Sequence, residues 1–391
     1  MRILFCNYEY PPLGGGAGVM NALLAEELAK RHEVTVLTSQ ALGLPRESVE
    51  AGVRVIRVPV FFRRKFPVAN FPSLAAFIPM GIHRGKHLMR DHRFDIINTH
   101  FALPTGPVGD ALARASGLPN ILTVHGGDLY DPSKLTSPHR HPLLRAWVRH
   151  LLRRADVIVG QSRNTLENVG RFYDPLLAPV RIHALIRRPE ALDVARDRYG
   201  LHPEDVVMVT VGRLVARKAV HQLLSLLQAF RNEPVRLLVI GSGPQDAALK
   251  EEARRLGVAD RVRFLGQVEE REKCGILRLC DLYVSTSQHE GFGLVFVEGM
   301  AAGLPVVCYD HGGQMDFLES GRTGYVVPLN DLKAFEQRCR ELIGDPALRR
   351  RMGEDNRRLA EPMFADQCAK QYEALFERVI ASHRNGNGGA S

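Results

Sequence analysis

The feature that most constrains the fold is an alternation of short apolar segments with helical segments, which occurs twice along the chain. Short apolar runs predict buried strands, and the helical segments between them predict crossover connections. The first half contains predicted strands at 2–6, 34–38, 53–58, 95–98, 120–124 and 156–159. The second half contains them at 206–212, 235–240, 261–265, 281–285, 305–308 and 324–327. This pattern predicts an α/β fold with two parallel sheets that carry helices on both faces.

A proline-rich segment at 174–193 separates the two halves and lacks helical periodicity, as a domain linker should. The length of 391 residues suits two ordinary domains. The sequence therefore predicts domains at 1–180 and 181–364, then a helix at 365–384 and a disordered tail at 385–391. Ligands of doubly wound sheets bind beyond the carboxyl ends of the strands, so the loops that follow the predicted strands are candidate sites.

The net charge of +9 implies partners with negative charge, such as nucleotide diphosphates, anionic lipids or nucleic acid. Nucleic-acid binding has no recognition motif beyond this charge to support it. The six cysteines include no Cys-x-x-Cys pair, which indicates reduced thiols and not a disulfide framework or a zinc site. Since the chain begins with a strand and lacks an apolar run of about 18 residues, we expect neither an exported nor a membrane-spanning protein.

A glycine-rich turn in the second half carries the densest set of candidate site residues. Gly291 and Gly293 favour a tight turn that a ligand can approach closely, and a helix is predicted to begin near Leu294. Free amides at a helix start favour an anion such as a diphosphate. Glu290 and Glu298 flank the turn, and carboxylates accept hydrogen bonds from the paired hydroxyls of sugars. Alternatively, Glu298 only interacts with the helix dipole and Glu290 is an ordinary loop residue.

The spacing of these two glutamates resembles the Glu-x7-Glu signature of retaining glycosyltransferase family 4. The resemblance covers essentially the whole chain and implies a GT-B fold. That fold has two facing Rossmann-like domains, the first for the acceptor and the second for the nucleotide sugar, with a deep cleft between them and a last helix that returns to the first domain. It also implies that Glu298 binds the ribose, and that Glu290 and the backbone of the turn hold the donor sugar. The turn residues concerned are Gly291, Phe292, Gly293 and Leu294.

A basic loop follows the first predicted strand of the second half and resembles the family's Gly-Arg-Leu-x-x-x-Lys motif. Arg213 can bind phosphate oxygens through its planar fork, and Lys218 adds a point charge. Ala219 stands where the family usually has glycine. Because the chain has no Asp-x-Asp metal clamp, we expect Arg213 and Lys218 to stabilise the leaving group without a metal or other cofactor. The alternative is a solvated basic loop.

Two loops of the first half are further candidates. The glycines at 14–18 resemble the family's Pro-Pro-x-x-Gly-Gly-x-Gly loop, which implies that Gly15 and Gly16 close on the donor; a flexible turn is the alternative. His125 follows a predicted strand, and its position matches the family's active-site histidine near the transferred sugar. Asp128 follows the same pattern on the acceptor side. The remaining histidines nearby are interpreted as packing or surface residues: His32, His83, His87 and His100.

A basic, aromatic-bearing segment at 61–93 adds an acceptor-side hypothesis. It contains Arg63, Arg64 and Lys65 and almost no acidic residue, and a second basic stretch follows at 139–154. Interleaved apolar and basic residues suit docking on an anionic membrane surface. The alternative is a solvated basic face beside an ordinary core helix.

Together these features predict a metal-independent, retaining hexosyltransferase that moves a sugar from a UDP- or GDP-linked donor to an acceptor hydroxyl. The acceptor we favour is a lipid-linked saccharide in cell-surface polysaccharide or glycolipid synthesis. A soluble small acceptor and a sugar-nucleotide epimerase of similar fold are the alternatives. We expect the protein in the cytoplasm or at the inner face of the cytoplasmic membrane.

Overall fold

The computed structural model describes residues 1–41, 43–61, 63, 70–131, 136–190 and 192–387. The chain divides into two compact units. The first unit comprises Met1–Arg187 and Phe364–Ser391, and the second comprises Arg188–Met363.

The first unit is built on an eight-stranded sheet of order β3-β4-β2-β1-β5-β6-β7-β8. Its strands are β1 Arg2–Asn7, β2 Glu33–Ser39, β3 Glu47–Glu50, β4 Val53–Val58, β5 Ile96–His100, β6 Asn120–Val124, β7 Val157–Gly160 and β8 Val180–Arg181. The helices that connect them are α1 Gly16–Ala29, α2 Phe71–Asp91, α3 Gly106–Ser116, α4 Pro142–Arg154 and α5 Arg163–Phe172. All pairings are parallel except that of β3 with β4. The loops after β1, β5 and β6 therefore lie at one edge of the sheet.

The aromatic part of the basic segment folds as the amphipathic helix α2. Asn70 caps its start by accepting a hydrogen bond from the Ser73 amide, and the Ser73 side chain closes the reciprocal half of the capping box. Phe77 and Leu88 are buried in the core of the first unit, whereas Phe71 is exposed. The core-helix alternative thus describes this stretch.

The second unit contains a six-stranded parallel sheet of order β11-β10-β9-β12-β13-β14. Its strands are β9 Val206–Val211, β10 Val235–Ile240, β11 Val262–Gly266, β12 Leu282–Ser285, β13 Val306–Tyr309 and β14 Gly324–Val327. Its helices are α6 His221–Ala229, α7 Asp246–Arg255, α8 Glu270–Leu279, α9 Leu294–Ala302, α10 Leu332–Gly344 and α11 Pro346–Ala360. The central strands β9 and β12 are mostly apolar, as expected for strands covered on both faces.

The last helix, α12 Ala365–Asn387, belongs to the first unit and packs against α1. Tyr372 contacts the Thr123 hydroxyl at 3.3 Å, and Glu373 pairs with Arg31 at 2.7 Å. Residues 385–387, which were predicted to belong to the tail, are helical, and residues 388–391 lie outside the described part of the chain. None of the described helices combines the length and hydrophobicity that crossing a bilayer requires.

Candidate active site

In the second unit, the predicted turn and helix form at the carboxyl end of β12. Gly293 caps α9 with a φ of +91°, a left-handed conformation that a side chain would strain. Glu290 precedes the turn, and its carbonyl accepts a hydrogen bond from the Gly313 amide at 2.9 Å. A side chain on Gly312 or Gly313 would overlap the backbone of this turn. The two glycines after β13 therefore allow both loops to pack together.

Glu290 is buried and pairs with two cations of the basic loop. Its carboxylate contacts Lys218 Nζ directly and lies 3.5 Å from Arg217 Nη1. Burial opposes ionisation of Glu290, but Lys218 and Arg217 outweigh it and hold its pKa below the ordinary value. The structure thus brings together two predicted site residues, Glu290 and Lys218. Sequence reasoning overlooked Arg217, which it treated only as part of the basic run.

Arg213 lies in the same loop with an exposed side chain. It forms no hydrogen bond or ion pair with any residue that the structure describes. The loop packs closely on the turn that follows β10, since a side chain on Gly241 or Gly243 would overlap the carbonyl groups of Gly212 and Leu214. The backbone of the loop is held in place, while the Arg213 guanidinium remains available for an anion.

Glu298 lies on α9 and pairs with Lys273 of α8 at 2.8 Å. Burial raises the pKa of Glu298 despite this cation. Burial likewise opposes the charge of Lys273, but Glu298 and Glu270 raise its pKa above the ordinary value. Lys273 was not among the predicted site residues. The pair links α9 to α8.

In the first unit, the glycine loop follows β1 and leads into α1. The Gly15 amide donates to the Glu9 carboxylate at 3.2 Å, and Gly15 and Gly16 are exposed. Gly14 has a φ of +92°, and a side chain there would overlap Glu9. Glu9 therefore organises the exposed start of α1, where Gly15 is the N-cap.

His125 directly follows β6 and contacts His100 at the end of β5. His100 Nδ1 lies 3.3 Å from His125 Nε2. Burial lowers the pKa of His125 to about 3 and that of His100 well below its ordinary value, so both rings are neutral. Asp128 fixes the backbone here, because one carboxylate oxygen accepts from the His125 amide at 2.9 Å and the other from the Ala102 amide at 2.7 Å. Its predicted acceptor role stays a prediction.

Arg63 requires a correction. It was predicted to lie on an exposed basic surface, but its side chain is only 4% exposed. It donates to Ser39 Oγ at 2.6 Å, and its guanidinium lies 4.6 Å from the centroid of the Tyr8 ring. A basic run in the sequence cannot distinguish an arginine that packs on an aromatic ring from one in solvent. Arg64 and Lys65 lie outside the described residues.

Two family models match consecutive parts of the chain. The model described as Glycosyltransferase Family 4 matches residues 14–185, and that described as Glycosyl transferases group 1 matches residues 193–359. N-acetyl-alpha-D-glucosaminyl L-malate synthase of Bacillus anthracis is 26% identical, covering 96% of this chain and 97% of that protein. The GDP-mannose-dependent alpha-(1-6)-phosphatidylinositol monomannoside mannosyltransferase of Mycolicibacterium smegmatis is 27% identical, covering 90% of this chain and 91% of that protein.

Solved structures with the same architecture include sucrose-phosphate synthase from Thermosynechococcus elongatus. It has a TM-score of 0.83 at 23% identity and covers 98% of this chain and 100% of its own. Anabaena HepE in complex with UDP has a TM-score of 0.77 at 18% identity, covering 97% of this chain and 100% of its own. At these identities the likeness concerns the fold.

Proposed function

Because this chain belongs to the glycosyltransferases of family 4 type, with the GT-B fold and a nucleotide sugar as donor, we propose that it transfers a hexose from a UDP- or GDP-linked donor with retention at the anomeric carbon. The observation that carries this proposal is the cluster of buried Glu290, half-buried Lys218 and exposed Arg217 beside the start of α9. In it, cations that suit a diphosphate adjoin a carboxylate that suits sugar hydroxyls. The family assignment favours a transferase over the epimerase alternative.

The chemistry follows from the charges at this site. Departure of the nucleotide leaves negative charge on a diphosphate, which Arg213, Lys218 and the amides at the start of α9 would stabilise. Charge-assisted hydrogen bonds contribute roughly 1.5–3 kcal/mol each. Two of them supply several powers of ten in rate, so we propose that no metal is needed. Glu290 would orient the sugar and Glu298 the ribose, while the acceptor hydroxyl attacks on the face that the leaving group vacates and passes its proton to the departing diphosphate.

Released nucleotide is the direct measurement of this proposal. The protein is incubated with a panel of UDP- and GDP-sugars, with and without a mixture of membrane lipids and small polyols, and free UDP or GDP is followed. We expect one nucleotide class to be turned over in an acceptor-dependent manner. Proton NMR should show the same anomeric configuration in the product as in the donor. Inversion at that carbon would refute retention.

For the acceptor, we propose a lipid-linked molecule at an anionic membrane surface, and the support comes from α4. Leu143, Trp147 and His150 are spaced at i, i+4 and i+7, so they share one face of the helix, and all three are exposed. Leu143 is 86% exposed, and two arginines of the last turn lie beside this face: Arg153, which pairs with Asp174, and Arg154, which pairs with Asp110. An apolar face bordered by arginines fits the interface of an anionic bilayer. This α4 face replaces the buried Arg63 as the docking surface.

Trp147 makes the membrane proposal directly measurable, because it is the chain's one tryptophan. We expect its fluorescence to shift to the blue with phosphatidylglycerol vesicles at low salt and to return when salt is added. Leu143→Ser should weaken binding at least about tenfold, since a buried leucine contributes roughly 1.5–3 kcal/mol. Leu176→Ser is the matched control, because Leu176 is equally exposed at 88% but lies outside α4. An unchanged spectrum at low salt would favour a soluble acceptor.

A further inference from the structure

Three polar side chains form a connected line where β5 and β6 end. Asn98 and His100 are two residues apart on β5 and therefore point to the same side of the sheet. Asn98 Nδ2 lies 3.0 Å from His100 Nε2, and His100 Nδ1 lies 3.3 Å from His125 Nε2. Asn98 and His100 are fully buried.

The direction of donation along this line follows from the chemistry of its groups. The Asn98 amide nitrogen faces the ring and can only donate, so with this amide orientation His100 Nε2 accepts from Asn98 and the proton of the neutral ring sits on Nδ1. His100 Nδ1 then donates to His125 Nε2. Since His125 is also neutral, its own proton is placed on Nδ1.

The other side of the His125 ring is prepared for a ligand. His125 Nδ1 is buried and has no hydrogen-bond partner among the residues that the structure describes. Gln161 lies beside the ring and favours a proton on it. The Gln161 amide nitrogen also donates to Met20 Sδ at 3.1 Å, so Gln161 is itself held in place. The unpartnered Nδ1 is the ring nitrogen left for a ligand.

Packing holds both rings in place. His100 stacks on Phe5 with ring centroids 5.3 Å apart and planes inclined by 14°. The Phe101 ring lies 4.4 Å from that of His125, and Phe101 has a φ of +73°, which is strained for a residue with a side chain. Such strain persists only where the surroundings over-determine the conformation, and it is concentrated at functional sites.

We propose that His100 is a positioning residue that, together with Asn98, fixes the tautomer of His125 so that His125 offers an N–H donor at Nδ1 to an oxygen of a substrate bound at the ends of β5 and β6. His125 is then a hydrogen-bond donor and not a general base. The identity of the ligand rests on the proposed function, whereas the tautomer is a property of the free protein.

The test is nitrogen NMR of protein labelled with ¹⁵N-histidine, with the His125 signals assigned by their loss in His125→Gln. We expect a protonated Nδ1 and an unprotonated Nε2 in the free protein. In His100→Phe, which keeps a ring to stack on Phe5, the proton of His125 should move to Nε2, the tautomer that free histidine prefers. Turnover should fall about tenfold, the effect of one lost hydrogen bond, with little change in the KM of the donor. His87→Gln, at an exposed position, should change neither the His125 tautomer nor turnover.

Protonated Nε2 in the unmodified protein, or an unchanged His125 tautomer in His100→Phe, would overturn the proposal. If His100→Phe does not fold, Asn98→Leu is the alternative variant. It removes the hydrogen bond to His100 Nε2, so the proton of His125 should again move to Nε2. The spectrum of the unmodified protein requires no folded variant. If the tautomer is as expected but no sugar nucleotide is turned over, the proposed function fails while the positioning role stands.

Discussion

The pair of Lys218 and Glu290 allows its structural contribution to be separated from its catalytic one. The two side chains are 12% and 10% exposed and in direct contact. Removing one partner of a buried ion pair costs roughly 3–5 kcal/mol, because the other charge is left uncompensated. Arg217 remains 3.5 Å from Glu290 and offsets part of this free-energy cost. We therefore expect Lys218→Met to destabilise the protein by about 2 kcal/mol, which corresponds to a fall in Tm of roughly 4–8 °C.

The dependence on pH has a defined sign. The pKa of Glu290 lies below its ordinary value, so its ionised form stabilises the fold at neutral pH, and this contribution is lost as the pH falls through the folded-state pKa. Without Lys218, burial dominates and the pKa of Glu290 rises. The difference in Tm between the unmodified protein and Lys218→Met should therefore be largest at neutral pH and narrow towards about pH 4.

A double-mutant cycle with Glu290→Gln completes the test, with stability measured by denaturant titration of each variant. In the Glu290→Gln background no buried charge is left behind, so Lys218→Met should cost about 2 kcal/mol less than in the unmodified protein. Glycosyl transfer should remain lost in the double variant although its stability recovers. Equal losses in the two backgrounds would mean that the ion pair does not couple, and the reasoning would be wrong.

Two further predictions concern the donor site. Arg213→Ala should lower turnover at least about a hundredfold, because roughly 2–3 kcal/mol of leaving-group stabilisation is lost, whereas Arg231→Ala, at an exposed position, should have no effect. Activity should also persist in excess chelator. Activity that is lost with chelator and restored by magnesium would contradict the metal-independent mechanism. Glu290→Ala should abolish transfer but spare binding of the free nucleotide, whereas Glu298→Ala should weaken that binding by calorimetry. Dissociation constants with the opposite assignment would overturn the two roles.

The sheets were predictable from the sequence because strands covered on both faces are mostly apolar. The strand β3, with the sequence Glu-Ser-Val-Glu, was not predicted, since an antiparallel edge strand half exposed to solvent carries no such signal. The turn at Gly293 was predictable for a different reason. Its left-handed conformation is open to glycine and few other residues, so the glycine in the sequence indicates the conformation of the turn.

The partners of the candidate site residues were not predictable, because tertiary packing chooses them. Lys273 comes from an ordinary amphipathic helix, and nothing in its own segment indicates that it meets Glu298. His100 has the pattern of a core residue, and it is one, yet its ring nitrogens connect it to His125. Motifs specify the groups that contact ligands, while burial and hydrogen bonding among unremarkable residues decide the protonation state of those groups. The motif residues of this chain therefore depend on neighbours outside the motifs. Arg217 and Lys273 influence the ionisation of Glu290 and Glu298, and His100 influences the tautomer of His125.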